Sequence, residues 1–370
     1  MIPVVTPSAS AIPSNKDIDI LGVCHIDYAN TAARFTKCLR HLGYNTRSYC
    51  GQRLSLGKAD PKYPYLVTIS DSLSNLTNHF PYTVTVNSKN KSSLQNLIYR
   101  SKVVWFFGTT FVNGVDFPKD IKYIVQHGGI TYRNNPAASN AVFNPIVDAT
   151  VIQCPDLLNL GAKNEHLIYY PIDTDHITPS IKFINDKTLY IGHFPSSQIN
   201  KGSASIYNVI QRLSKIGNKF KNKFVYNGII PHSKITVANR YSHITTWQSN
   251  LNRQSTSDVI IETCSPLCQG KKFAEWGNTA LECAAAGKIV VTNTLTKTLY
   301  EKEYTTDYPL FLNDGTEDGL ESNLIEILNM DRDELFERKK QTMEWAHKHH
   351  SISATAKRIE KKLSTILPKS

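Results

Sequence analysis

Short apolar runs rich in β-branched residues alternate with helical patterns along most of the chain. The run "IDILGVC" (18–24) precedes a helical stretch at 30–43, and "TLYIG" (188–192) precedes another at 203–217. Apolar runs of this length are typical of strands buried on both faces, as in parallel sheets covered by helices. The alternation therefore predicts an α/β fold with parallel sheets.

Further runs of the same kind form two series. The chain has 370 residues, more than one hydrophobic core usually serves. We therefore expect two Rossmann-like doubly wound domains facing a central cleft, with ligands beyond the carboxyl ends of the strands. The remaining predicted strands cover 102–108, 121–129, 149–154, 166–173, 223–229, 258–263, 288–293 and an edge strand at 308–313, and a short helix is expected at 155–162.

The polar stretch 173–186 has no clear period and is the expected boundary. We predict a flexible leader over 1–17, an N-terminal acceptor-side domain over 18–180 and a C-terminal donor domain over 181–335. The terminal helices over 336–370 are expected to pack back toward the N-terminal domain.

The formal net charge is +11, and the acidic residues are unevenly spread. No Asp or Glu lies between Asp186 and Asp258, or between Asp71 and Asp116. Such basic stretches favour an anionic ligand, although an ordinary solvated surface would give the same composition. A nucleic acid or a membrane surface stays open as a partner at this point.

Other features of the composition bear on the class of protein and on its compartment. No apolar run reaches the length of about 18 residues that a membrane-spanning helix needs, and the N-terminal segment lacks the regions of a signal peptide. Seven scattered cysteines indicate buried thiols in a reducing compartment rather than a disulfide framework. We therefore expect a cytoplasmic protein without a bound metal, and peripheral membrane contact stays open.

The loop after "TLYIG" carries the first candidate site. It supplies Ser196, Ser197, Lys201 and Gly202 just before a helix for which Ser203 is the expected N-cap. Backbone N–H groups at a helix N-terminus, with hydroxyls and a lysine, suit a phosphate. The spacing is not that of a P-loop, and an ordinary polar loop explains the pattern equally well.

The stretch "KKFAEWGNTALECAAAGKIVVTN" (271–293) carries the second candidate site. Its helix is expected to have Asn278 as N-cap, Glu282 in the first turn and Gly287 just past the end. In a parallel sheet both helix N-termini reach the same edge. Lys201 would then hold phosphates while Glu282 accepts the hydroxyls of a ribose, the two groups that a nucleotide sugar presents. The alternative is that Glu282 is simply a charged residue in the first turn of the helix and binds no ligand.

The segments "HFPSSQINKGSASIYNVIQRL" and "EWGNTALECAAAGKIVVT" resemble the donor domain of GT-B glycosyltransferases of the retaining family 4 type. "HGGITYRNNP" and "CPDLLNLGAKNEHLIYYPIDT" resemble passages of that family's first domain, so the resemblance covers most of 18–365. It implies transfer of a sugar from a UDP- or GDP-linked co-substrate to an acceptor hydroxyl. Retention of configuration and the absence of a metal or other cofactor are also implied.

The resemblance also implies roles for individual residues. Lys201 would stabilise the departing diphosphate, Glu282 would bind the ribose and Glu275 the sugar ring. His127 would contact the sugar or the reacting centre, and Arg133 a phosphate or the acceptor. The remaining candidates are His193 for a phosphate or the acceptor, and Ser196, Ser197, Gly202, Gly277, Asn278 and Thr279 for the donor.

The chain departs from the family pattern in three places. The family commonly has a basic residue shortly before the lysine, and His193 stands near that position here. The family's paired glutamates are eight residues apart, whereas eight residues before Glu282 stands Ala274, and Glu275 lies one position later. The loop "CHIDYANTA" contains no glycine, where the family has a glycine-rich loop. Trp276 is expected either to wall the donor pocket or to plug the core, and the D-x-D triplets at 173–175 and 331–333 are not expected to bind metal.

The acceptor is expected to be a glycan, a glycoconjugate or a lipid-linked molecule. One alternative is a viral-type DNA base glycosyltransferase, which the basic stretches favour and the lack of a nucleic-acid-binding motif disfavours. Another is a non-catalytic GT-B protein that binds a nucleotide or a glycan. A sugar-nucleotide epimerase of the same fold fits "ECAAAGK" less well.

Overall fold

The structure is a computed structural model that describes residues 16–26, 31–52, 66–68, 83–85, 88–108, 111–195, 198–231, 247–265, 267–268, 271–272, 276–293 and 297–368. The chain divides into two compact units. Unit 1 combines Met1–Pro171 with Ile352–Ser370, and unit 2 is Ile172–Ser351. The predicted leader over 1–17 lies almost entirely outside the described residues, and the candidates Ser196, Ser197 and Glu275 lie outside them as well.

The strands within the described residues are β1 (Ile18–Ile26), β2 (Thr46–Gln52), β3 (Leu66–Thr68), β4 (Thr83–Thr85), β5 (Ser101–Phe106), β6 (Phe111–Asn113), β7 (Lys122–His127), β8 (Ala149–Ile152), β9 (Glu165–Leu167), β10 (Thr188–Gly192), β11 (Lys223–Tyr226), β12 (Val259–Ile261), β13 (Leu267–Cys268), β14 (Lys271–Lys272), β15 (Ile289–Asn293) and β16 (Phe311–Asn313). The helices are α1 (Thr31–His41), α2 (Ser88–Tyr99), α3 (Gly129–Asn134), α4 (Pro136–Phe143), α5 (Ser203–Ile216), α6 (Trp247–Ser255), α7 (Asn278–Ala285), α8 (Lys297–Glu303), α9 (Glu317–Asn329), α10 (Arg332–His350) and α11 (Ile352–Leu363). None of these helices is both long and apolar enough to cross a membrane.

Unit 1 is built on a parallel sheet in the strand order β3-β2-β1-β5-β7-β8-β9. The apolar runs predicted as strands form its centre, and their side chains are buried on both faces. One face packs Phe35 and Leu39 of α1 together with Trp105 of β5. The prediction of a doubly wound parallel sheet is confirmed here, because these strands have no polar face to present to water.

Unit 2 repeats the architecture with a smaller parallel sheet, in the order β11-β10-β12-β15-β16. The strand predicted at 188–192 is β10, and the strand predicted at 308–313 is the edge strand β16. The apolar positions of α5 predicted from helical spacing, Ile206, Val209, Ile210 and Leu213, are all buried in the core. The α/β class is therefore confirmed in both units.

The boundaries between the units differ from the predicted ones. The chain leaves unit 1 after Pro171 rather than at 180, and it returns at Ile352 rather than at 336. The long helix α10 thus belongs to unit 2, and only α11 packs into the core of unit 1, where Ile359 and Leu363 are fully buried. The amphipathic pattern marks both helices as packed but does not state which core each one covers.

Two predicted elements near the end of unit 1 are shorter than expected. The helix expected at 155–162 is a single 3-10 turn at Pro155–Leu157, and the strand expected at 166–173 is β9, which ends at Leu167. Asn159, Gly161 and Asn164 have positive φ angles, so a helix cannot continue through them.

Candidate active site

The carboxyl edge of the unit 2 sheet has a point at which the strand order changes direction. From β10 the chain first adds β11 on one side of the sheet and then β12 on the other. The loops that follow β10 and β12 therefore leave the sheet side by side. In doubly wound sheets ligands bind at such a switch point.

An ion pair joins these two loops. Lys201, in the loop after β10, places its Nζ 2.9 Å from Oε1 of Glu262, the first residue after β12. The Glu262 side chain is 1% exposed, whereas that of Lys201 is 14% exposed. The pair is therefore anchored at the carboxylate, and its lysine side chain is the partly exposed member.

Glu262 also accepts two further hydrogen bonds. The backbone N–H of Gly277 donates to the same Oε1 at 2.9 Å, and the Thr292 hydroxyl of β15 donates to Oε2 at 2.6 Å. Oε1 thus lies where a lysine ammonium and the N-terminal backbone of α7 meet. This arrangement binds one anionic oxygen.

Gly202 is required by a close approach of the two loops. Its φ is +67°, and a Cβ atom there would lie 2.2 Å from the carbonyl oxygen of Cys264. The Cys264 N–H in turn donates to the Lys201 carbonyl at 3.0 Å. Only glycine fits this position, which fixes Lys201 next to the end of β12.

The start of α5 differs in detail from the prediction. Gly202 rather than Ser203 is the N-cap, and Ser203 is the first helical residue. The Ser203 hydroxyl lies 2.8 Å from Nε2 of His193, whose Nδ1 lies 2.8 Å from the Ile261 carbonyl. Because a carbonyl only accepts, Nδ1 carries the proton and Nε2 accepts from Ser203.

Burial lowers the pKa of His193 to about 4, so the ring is neutral at neutral pH. Both ring nitrogens of His193 bind to the chain itself, and the side chain is fully buried. The structure assigns His193 to holding β10, β12 and α5 together. The predicted contact between His193 and a phosphate stays a prediction.

The helix that carries Glu282 begins differently from the prediction. The N-cap is Gly277 in an extended conformation, and Asn278 is the first helical residue. Glu282 is the fifth helical residue, so the expected first-turn position was wrong by one turn. Gly287, with φ +74°, stands just past the helix end as predicted.

Glu282 is buried and makes a contact that no local pattern predicts. Its Oε1 accepts a hydrogen bond from the indole Nε1 of Trp247 at 2.8 Å. Trp247 opens α6, and its ring meets that of His176 edge to face. A tryptophan donor orients the carboxylate of Glu282 and places an aromatic ring beside it.

Trp276 plugs the core rather than lining an open pocket. It is fully buried, and its ring centroid lies 4.5 Å from that of Tyr300 and 5.3 Å from that of Trp345. Its φ is +64°, a conformation that is strained for a bulky residue. The aromatic packing holds this strained turn, and the turn presents the N–H of Gly277 to Glu262.

In unit 1, His127 ends β7 at the carboxyl edge of the sheet. The ring is fully buried and stacks on Tyr132, with centroids 4.0 Å apart, while Phe143 meets it edge on. Burial lowers the pKa of His127 to about 3, so the ring is neutral. Its predicted contact with a sugar stays a prediction.

Arg133 lies on α3 in a buried ion pair. Its Nε donates to Oδ2 of Asp156 at 2.6 Å, and the two side chains are 4% and 3% exposed. Burial raises the pKa of Asp156, and the charge and hydrogen bond of Arg133 oppose that rise. The guanidinium is already neutralised by a carboxylate, so the expected phosphate or acceptor contact of Arg133 stays a prediction.

The D-x-D triplets have structural roles in the described residues. Asp173 is fully buried and pairs with His176 at 2.9 Å, and Asp331 forms the capping box of α10 with Glu334. Among the residues that the structure describes, no group of three His, Cys, Asp or Glu side chains is arranged to hold a metal ion.

Sequence reasoning thus found Lys201, Gly202 and Gly277, which the structure brings together, but missed Glu262 between them. The carboxylate at the end of "DVIIE" was the available signal, because the last residue of a buried parallel strand points to the ligand edge. Trp247 was not among the candidate residues. Asn278 and Thr279 start α7 beside Gly277, and their contact with a donor stays a prediction.

Two doubly wound parallel units, with α11 of the C-terminus returning to the first, define the GT-B fold, and the chain has this fold as the resemblance predicted. The sequence matches no protein-family model and no curated protein. Solved glycosyltransferase structures share the fold over nearly the whole chain, at sequence identities that establish the fold alone.

Three of these structures illustrate the similarity. An alpha-glucosyltransferase in complex with UDP and a 13-mer DNA containing a HMU base has a TM-score of 0.63 and 12% identity, over 94% of this chain and 99% of that chain. Anabaena HepE in complex with UDP has a TM-score of 0.57 and 11% identity, over 94% and 100%. A glycosyltransferase from Rickettsia africae has a TM-score of 0.54 and 13% identity, over 96% and 100%.

Proposed function

We propose that this chain is a glycosyltransferase that moves a sugar from a UDP-sugar to an acceptor hydroxyl. The observation that carries the proposal is the placement of the Lys201 ammonium at the N-terminus of α7, where it and the Gly277 N–H both bind Oε1 of Glu262 at the switch point of unit 2. UDP is the proposed nucleotide because the similar alpha-glucosyltransferase and HepE structures contain it.

The reaction breaks the bond between the anomeric carbon and the β-phosphate oxygen, and the electron pair stays on the departing UDP. The acceptor oxygen forms a new bond to the anomeric carbon and gives up its proton to the departing diphosphate. Negative charge develops on the diphosphate, so fixed donors aimed at it lower the barrier. Lys201 and the N-terminal backbone of α5 and α7 supply such donors.

Further residues of the proposal bind the rest of the donor. Glu282 accepts the ribose hydroxyls, and its carboxylate is oriented by Trp247. Glu275 contacts the sugar ring, a role that rests on the family resemblance alone. Neutral His127 donates or accepts a hydrogen bond at the sugar, and retention of configuration without a metal belongs to the same proposal.

The acceptor class that we propose is a glycan, a glycoconjugate or a lipid-linked molecule, with the protein in the cytoplasm. A nucleic-acid acceptor is the second candidate. It is favoured by the alpha-glucosyltransferase structures that contain DNA and by the net charge of +11. Phosphate contacts release counterions, so DNA binding that does not weaken as salt is raised would remove this candidate.

The test of the proposed function is a binding and turnover panel. Calorimetry with UDP and GDP, alongside nucleotide release from their glucose, galactose, mannose and N-acetylglucosamine conjugates, identifies the donor. We expect UDP to bind and at least one UDP-sugar to be turned over. Binding of UDP without release of UDP from any sugar, with acceptors of each class present, would instead support a non-catalytic binding protein.

A further inference from the structure

We propose that Glu262 is a positioning residue that holds the Lys201 ammonium beside the N-terminus of α7, where the ammonium binds the diphosphate. This inference rests on the proposed function and adds a residue that the family resemblance does not supply. Glu262 acts through Lys201 and Gly277 and does not itself contact the nucleotide.

The carboxylate is fixed more firmly than either group that it holds. It follows β12 directly and its side chain is 1% exposed. Its Oε2 accepts from the Thr292 hydroxyl of the neighbouring strand β15, so two adjacent strands define its position. Lys201 and Gly277 lie in loops, and a loop side chain needs an anchor of this kind to keep one geometry.

The charge of Glu262 has a specific consequence for both loops. A buried carboxylate is stable only when it is compensated by donors. Its three partners come from three separate segments, namely Lys201, Gly277 and Thr292. Glu262 therefore closes the loops after β10 and β12 onto each other before any nucleotide is present.

The two loop donors are adjacent as a result. A Cβ atom at Gly277 would lie 3.5 Å from Nζ of Lys201 and 2.5 Å from Oε1 of Glu262. The single N–H of Gly277 is taken up by Glu262, whereas the Lys201 ammonium carries three N–H groups and can donate to a diphosphate oxygen as well as to Glu262. Any side chain at position 277 would push the carboxylate away, so the glycine belongs to the same arrangement.

Glu262→Gln separates the charge of this residue from its shape. The amide oxygen of Gln can accept from both Lys201 and Gly277, and its NH₂ can donate to the Thr292 hydroxyl, which also accepts. All three hydrogen bonds survive, and only the charge is lost. Glu262→Ala, by contrast, removes the anchor of the Lys201 side chain and of the Gly277 N–H, while the backbone hydrogen bond from Cys264 to Lys201 still joins the loops.

The experiment measures UDP, inorganic pyrophosphate and uridine binding to the parent, to both Glu262 variants, to Lys201→Ala and to the Glu262→Ala/Lys201→Ala double variant. We expect Glu262→Ala to weaken UDP and pyrophosphate about tenfold or more, the factor that corresponds to about 1.4 kcal/mol. Uridine, which lacks phosphate, should bind as before. In the Lys201→Ala background, Glu262→Ala should change UDP binding little, because the two residues act as one.

Each other outcome decides against the inference in a different way. Equal weakening of uridine and UDP would mean that Glu262 only supports the fold, and additive effects of the two alanines would mean that it acts independently of Lys201. If Glu262→Ala does not fold, Glu262→Gln decides, with an expected selective loss of UDP of about fivefold from the weaker neutral hydrogen bond. A parent that binds neither UDP nor pyrophosphate overturns the proposed function together with this inference, whereas a binding parent with unchanged variants overturns the inference alone.

Discussion

An ion pair lies at the carboxyl edge of each sheet, and the two pairs differ in their exposure. In unit 1, Arg133 and Asp156 are both buried and hold α3 to the turn after β8. In unit 2, Glu262 is buried but the Lys201 side chain is partly exposed. Similar chemistry in the same kind of sheet therefore has two uses. A pair buried at both ends stabilises, whereas a pair whose cationic member is partly exposed can present a charge to a ligand.

The largest expected effect is on the stability of unit 1. Arg133→Leu leaves the Asp156 carboxylate buried without its cation and should lower the free energy of unfolding by about 3–5 kcal/mol. Urea titration followed by circular dichroism measures the change. Adding Asp156→Leu should recover much of the loss, since a buried pair can be replaced by apolar side chains. A stable Arg133→Leu protein with weak donor binding would reverse the comparison and make this pair the ligand site.

Lys201→Ala is the matching test in unit 2. Turnover of the UDP-sugar should fall about 10²- to 10³-fold, as for the loss of one donor aimed at developing charge. Stability should change less than in Arg133→Leu, because Glu262 keeps its bonds to Gly277 and Thr292. The exposed Lys215→Ala on α5 is the control, and turnover equal to that of this control would remove Lys201 from the site.

Acidic pH should lower the stability of both units, because each contains a buried histidine. Each pKa is lower in the folded protein, about 3 for His127 and about 4 for His193, than the ordinary value near 6.5. As the pH falls from about 6.5 toward 4, the unfolded chain takes up protons that the folded chain does not, so stability falls. His193 alone contributes a loss of up to roughly 3 kcal/mol over this window, and above about pH 6.5 its contribution is complete.

Urea titrations at a series of pH values check this slope. His193→Gln should be less sensitive to acid than the parent, although less stable at neutral pH. The exposed His41→Gln on α1 should keep the parent's slope. A parent whose stability does not change between neutral and mildly acidic pH would show that these rings are protonated at little cost.

The smallest expected effect is a loss of UDP affinity when Glu282 of unit 2 is changed. Glu282→Gln can still accept the Trp247 indole N–H, so its stability should be close to that of the parent. A charged hydrogen bond to the ribose contributes about 1.5–3 kcal/mol, so UDP affinity should drop roughly ten- to a hundredfold. Trp247→Phe keeps an aromatic ring but removes the donor that orients Glu282, and it should cause a smaller loss. If Glu282→Gln binds UDP as tightly as the parent does, α7 contributes only to packing.

Local sequence patterns predicted several of the main strands and helices. The buried runs at 188–192 and 288–293 became β10 and β15, and the helical spacing at 203–217 became α5. Strand β2 was missed, because "TRSYCGQ" is mostly polar and forms a strand by pairing with β1. The helix caps were each displaced by one residue, because glycine took the N-cap position where a side-chain cap was expected.

The sequence by itself determined the α/β class and the two loops that hold the candidate site. These follow from periodicity and glycine positions, which act over a few residues. Only the tertiary structure decided that Glu262 anchors Lys201, 61 positions earlier, that Trp247 orients Glu282, and that α11 rather than α10 returns to unit 1. Such pairings depend on strand order and on which core a helix covers, and neither can be predicted from the local sequence pattern.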